Sequence, residues 1–130
     1  MKKITGIVAF LLCFAVLAAC NPTAENEQKI SILYIGNSFV HTGKVPKQVS
    51  VLVKLYGVDC AYKDISKGGA SLADQMDAAI REMNKKQYDY VVIQDYGTRP
   101  GSKEFFADVE ALCNKTHETG ATPVLYNPLG

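Results

Sequence analysis

Tryptophan is absent from this 130-residue sequence, histidine occurs twice, and neither charge sign is in surplus, with 14 Lys and Arg against 13 Asp and Glu. The formal charge of +1 becomes −1 once Lys2 and Lys3 are set aside, so there is no basic field to neutralise phosphates and nucleic acid is excluded as a partner class. The seven tyrosines are dispersed and provide no stacking platform for bases. No His, Cys, Asp or Glu cluster has metal-ligand spacing, so no metal is expected. Gly36 and Gly43-Lys44 stand too far apart for a P-loop, and Val45 occupies the place of its magnesium-binding hydroxyl, which excludes nucleoside triphosphates. The longest apolar run, Ile4 to Ala19, has 16 residues, short of the roughly 18 to 20 needed to span a bilayer. What remains is 48% hydrophobic and 21% charged, the composition of one folded globular domain.

Lys2 and Lys3 precede the apolar run as the positive end of an export signal. The run closes with Leu17-Ala18-Ala19-Cys20, which resembles the lipobox of bacterial lipoproteins. That resemblance implies a signal peptide over residues 1–19 and acylation of Cys20, with palmitate-type chains holding the mature chain to a membrane. The next segment is polar, contains Pro22, and reads as a tether over residues 20–29 ahead of a domain over 30–130. With Cys13 in the leader and Cys20 acylated, only Cys60 and Cys113 could form a disulfide; they fall over different parts of the fold and are expected to be free, buried thiols.

From residue 30 onward strand and helix patterns alternate. Ile30 to Ile35 is short, apolar and β-branched, as a strand buried on both faces should be. Val45, Val49, Leu52, Val53 and Tyr56 form an amphipathic helical stripe that Gly57 stops. A second strand lies around Val58 to Ile65. Ser71 with Asp74 three residues on predicts a capping box, ahead of the stripe Leu72, Met76, Ala79, Ile80 and Met83. Tyr90 to Ile93 is a third strand, Phe105, Val109, Leu112, Cys113 and Thr116 a third stripe, and Thr122 to Tyr126 a fourth strand. The order βαβαβαβ predicts a three-layer α/β/α sandwich around a flavodoxin-like parallel sheet of order 2-1-3-4. Ligands of such sheets bind at the carboxyl edge, where strand order reverses.

Three strand ends meet at that edge. The first strand runs into Gly36-Asn37-Ser38-Phe39, the second into Ser66-Lys67-Gly68-Gly69-Ala70-Ser71, and the third into Gln94-Asp95. A serine at a strand-to-helix turn suits acyl chemistry when backbone N–H groups face it, although on its own a serine there also serves as a turn cap. Taken together, these blocks resemble the SGNH (GDSL-like) hydrolase superfamily, and within it a branch of bacterial lipoproteins. The resemblance covers residues 30–130 and implies Ser38 as the nucleophile, Gly69 or else Gly68 as a backbone oxyanion donor, and Gln94 as the side-chain donor. It also implies an acyl or carbohydrate acetyl ester as substrate, no cofactor, and a place in the cell envelope outside the cytoplasm.

The sequence departs from the family pattern in three places. Asn37 stands where many members carry aspartate, and Gln94 where most carry asparagine. The block that comes after the family's fifth strand, with its Asp-x-x-His pair, has no counterpart here. Of the two histidines, His41 is expected to serve its loop and His117 to lie in solvent at a helix end. Three readings therefore stand: a hydrolase copy lacking its catalytic Asp and His, a non-catalytic ligand-binding lipoprotein, and a flavodoxin-like module holding phosphate or flavin at Ser38 to Gly43.

Overall fold

The alternation of side chains along the first strand divides the hydrophobic core into two. In a computed structural model that describes residues 28–95 and 101–128, Leu33 and Ile35 point into one core while Ile32 and Tyr34 point into another, and each is almost wholly buried. The leader, Cys20 and most of the tether lie outside the described residues. The elements in order are β1 (Gln28–Ile35), α1 (Ser38–His41), α2 (Val45–Lys54), β2 (Val58–Asp64), α3 (Leu72–Lys85), β3 (Tyr90–Ile93), α4 (Lys103–Glu118) and β4 (Thr122–Leu125). All three strand pairings are parallel and the order is β2-β1-β3-β4, the α/β architecture and order expected from the sequence.

The larger core lies between the sheet and α3 with α4, where Leu72, Ala79, Met83 and Leu112 meet Leu33, Val91 and Ile93. Each large aliphatic side chain buried there contributes about 1.5–3 kcal/mol relative to exposure. On the opposite face Val40 of α1 and Val45 and Val49 of α2 pack against Ile32 and Tyr34. The capping box is present: Asp74 N–H donates to Ser71 Oγ at 3.3 Å, and Ser71 N–H donates to Asp74 Oδ2 at 2.9 Å. Thr116, buried inside α4, satisfies its hydroxyl by donating to the Leu112 carbonyl at 2.7 Å. A second staple precedes β3, where Asp89 Oδ2 accepts from Ser31 N–H at 2.7 Å and from Ser31 Oγ at 2.9 Å.

Several details differ from the sequence reading. β1 begins at Gln28, inside the segment read as tether, because Gln28 and Lys29 pair with Val58 and Asp59 of β2. Leu52 and Tyr56 belong to the predicted stripe of α2 yet are exposed, since the sheet face is met by the flank that carries Val45 and Val49. Cys60 and Cys113 are free, as expected, and belong to opposite cores, but they are half-buried rather than buried. Among the described residues no helix is long and apolar enough to cross a membrane.

Candidate active site

The carboxyl ends of β1 and β3 are adjacent, and one amide side chain ties the two chain segments together just beyond them. Gln94, the residue after β3, has 1% of its surface exposed. Its backbone N–H donates to the Ile35 carbonyl at 3.0 Å, extending the β1–β3 ladder by one step. Its side-chain Oε1 accepts the Asn37 N–H at 2.9 Å. That bond fixes the amide beside the turn into α1, and among the described residues Gln94 Nε2 is buried without a hydrogen-bond partner. An orphaned buried donor costs about 1–3 kcal/mol, and such an atom is commonly completed by a ligand or water.

Asn37 makes the turn that presents Ser38. It is the N-cap of α1, its Oδ1 accepting the Phe39 N–H at 3.2 Å, and its carbonyl accepts from the N–H groups of Val40 and His41, both at 3.1 Å. Thr42 N–H donates to the Ser38 carbonyl at 2.8 Å. Ser38, the first residue of α1, is exposed, and among the described residues neither its hydroxyl nor its N–H is claimed by a hydrogen bond. Among the described residues the Ser38 N–H, the Ser38 hydroxyl and Gln94 Nε2 are thus all unclaimed, and the Gln94 amide is tied to Asn37, the residue before Ser38.

Gly36 is required by close approach. A Cβ there would stand 2.7 Å from Gln94 Oε1 and 2.8 Å from Val40 Cγ2, so Gly36→Ala forces the amide or the helix aside. We expect this substitution to destabilise the fold by about 1–3 kcal/mol, read as a lowered midpoint of thermal unfolding; an unchanged midpoint would show that Gln94 is not wedged against Gly36.

The loop after β2 comes alongside the same turn. Ile65 N–H donates to the Tyr34 carbonyl at 3.0 Å and Lys67 N–H to the Gly36 carbonyl at 2.9 Å. Gly69 lies two residues beyond Lys67, exposed, with φ +73°, a left-handed conformation that glycine accepts without strain. No described hydrogen bond ties Gly69 or Gly68 to Ser38; the structure brings their loop to the edge and stops there.

Asp64, at the end of β2, is a site-edge residue that sequence reasoning passed over. Its Oδ1 accepts from Ser66 N–H at 2.8 Å and from the Ser66 hydroxyl, and its Oδ2 lies 3.8 Å from His41 Nδ1. His41 is therefore turned toward Asp64 and makes no hydrogen bond to Ser38. His117 is exposed in the last turn of α4. Burial pushes both thiol pKa values up, with Asp59 adding to the effect at Cys60, so neither sulfur is an activated nucleophile. Burial first, then Cys60, Tyr62 and Asp64, pushes the Tyr34 phenol up to about 12, and it stays neutral beneath the site. Among the described residues no group of His, Cys, Asp and Glu could hold a metal ion.

Two solved structures share this fold. The chain superposes on the crystal structure of TesA with a TM-score of 0.64 at 16% identity, over 73% of this chain and 58% of that one. The two share a fold. It also matches the crystal structure of the acetyl xylan esterase AlAXEase, with a TM-score of 0.61 at 17% identity, over 74% of this chain and 57% of the other. The chain therefore spans somewhat more than half the length of these two structures. No family model and no curated protein matches it.

Proposed function

We propose that this chain is an SGNH-type serine ester hydrolase domain that acts on acyl esters, carbohydrate acetyl esters foremost, from a lipid-anchored position in a bacterial cell envelope. The observation that carries the reading is the Gln94 amide pinned to the Asn37 N–H, its buried NH2 group without a partner among the described residues, at the turn that presents an unclaimed Ser38 hydroxyl and N–H. Ser38 Oγ attacks the acyl carbonyl, and the oxyanion that develops is stabilised by Ser38 N–H, Gln94 Nε2 and the Gly69 N–H. Removing one such donor typically costs about 100- to 1,000-fold in rate. The fold shared with an acetyl xylan esterase supports the substrate class.

The proton of Ser38 needs a base, and the one histidine near it faces Asp64. We read the sequence as a hydrolase copy lacking its catalytic Asp and His, so that the base is not supplied by the described residues. Phosphate or flavin binding at Ser38 to Gly43 is disfavoured, because the N–H groups of Asn37, Phe39, Val40, His41 and Thr42 are already taken.

A fluorophosphonate probe tests the reading directly. We expect slow labelling whose mass adduct maps to Ser38, disappears in Ser38→Ala and falls in Gln94→Ala. Adducts spread over other serines, or unchanged in Ser38→Ala, would remove Ser38 from the role.

A further inference from the structure

One surface of the molecule takes no part in this site. Residues 44–56 contain Lys44, Lys47 and Lys54 and no acidic residue. On the same helix Val51 and Leu52 are exposed, and just past its end Leu55 is 77% exposed and Tyr56 is 86% exposed. Lys44, Lys47, Val51 and Leu52 line one shallow surface hollow, so the cationic and apolar groups are contiguous on one flank of α2. An apolar stripe bordered only by lysines is the pattern of a helix that lies in a membrane interface, its apolar side chains among acyl chains and its ammonium groups against anionic headgroups.

The topology fixes which way this flank faces. α2 runs back from the carboxyl edge, and the strand after it begins at Val58, which is in register with Gln28. Leu55 and Tyr56 therefore lie at the amino edge of the sheet, beside the first residue of β1, while Ser38 lies at the opposite edge. Seven residues separate Cys20 from Gln28, a link that reaches at most about 26–29 Å when fully extended. A chain anchored through Cys20 thus holds its amino edge within one small-domain diameter of the bilayer.

We propose that the exposed flank of α2, with Lys44, Lys47 and Lys54 around it, docks on an anionic lipid bilayer with its Leu55 and Tyr56 end dipping into the acyl chains and its Ser38 end raised toward the headgroup surface. The orientation relative to the anchor rests on the lipoprotein reading above; the affinity of the flank for lipid does not.

Because the sequence has no tryptophan, one introduced at position 56 is the sole indole reporter. The full chain carrying Tyr56→Trp is mixed with vesicles of phosphatidylglycerol and phosphatidylcholine with brominated acyl chains, both with Cys20 and in the Cys20→Ser background. Phe39→Trp, next to Ser38, serves as the far-edge reporter. The expected result, in either background, is a blue shift and bromine quenching of the indole at position 56 but not of the indole at position 39. Leu55→Glu with Lys47→Glu is expected to lower vesicle partition about tenfold or more. Circular dichroism of each variant checks that the fold is kept, as the changed side chains are exposed. If the anchor reading alone fails, the position-56 indole is still quenched and Cys20→Ser changes nothing. Equal quenching at both positions, quenching at neither, or a blue shift at position 56 that tracks protein concentration without lipid would overturn the proposal, the last by showing that a second copy covers this flank.

Discussion

Cys20→Ser is expected to move the chain out of the washed membrane fraction, or to leave its leader unprocessed. Each buried methylene of an acyl chain contributes about 0.8 kcal/mol, and two or more chains hold a protein to a bilayer stably where one does not. The α2 flank depends on charge as well as apolar contact, and at about 1 M salt the screening length falls to about 3 Å. A wash at that ionic strength therefore separates the two modes. The native chain should stay in the pellet through high salt, whereas Cys20→Ser should retain only salt-labile binding through Lys44, Lys47 and Lys54. Equal retention and equal processing of the two proteins after the wash would end the lipoprotein reading, whatever the fluorescence at position 56 reports.

How much of this was legible in the sequence depends on the length scale of each feature. Strands such as residues 30–35 are apolar on both faces, and a helix such as α3 carries its own start signal in Ser71 and Asp74, so the element order and the sheet order came from local chemistry. α1 was not legible as a helix. It has four residues, too few for any periodicity to register, and what holds it is the Asn37 cap and the burial of Val40. Asparagine before a short apolar stretch is a recognised cap signal, so Asn37 was open to sequence reasoning. The pairing of Asp64 with His41 was not, because it joins the end of β2 to the end of α1 across the sheet edge. Periodicity also placed Leu52 and Tyr56 with Val45 and Val49, since spacing reports which residues share a flank and says nothing about whether anything covers it.

Gly36 and Gln94 show the same limit at the site. From sequence, the glycine reads as a turn former and the glutamine as a polar strand end. The structure makes them one unit, with Gln94 Oε1 occupying the space a Cβ on residue 36 would need and accepting the N–H of the next residue. Contacts between segments 57 residues apart in sequence leave no trace in local pattern, although each segment taken alone pointed to the same sheet edge.

The 130-residue chain is expected to turn over p-nitrophenyl acetate far more slowly than about 1 per second, the lower end of ordinary enzymatic rates. A serine hydroxyl is a weak nucleophile until a base takes its proton, and removing the serine or histidine of a serine hydrolase lowers kcat by about a million-fold while the oxyanion donors and binding retain about 1,000- to 10,000-fold over water. On the proposed reading Ser38 keeps its oxyanion donors, while His41 is turned to Asp64 with its side chain 64% exposed. What slow turnover remains should fall in Gln94→Ala, by about 100-fold or more if Nε2 meets the oxyanion, and should be indifferent to His41→Ala. Ser38→Ala supplies the background. Turnover of about 1 per second or faster that vanishes in both Ser38→Ala and His41→Ala would make His41, oriented by Asp64, the base of a self-contained site, because the three residues would then form a local Ser-His-Asp relay and no further segment would be needed to explain the rate.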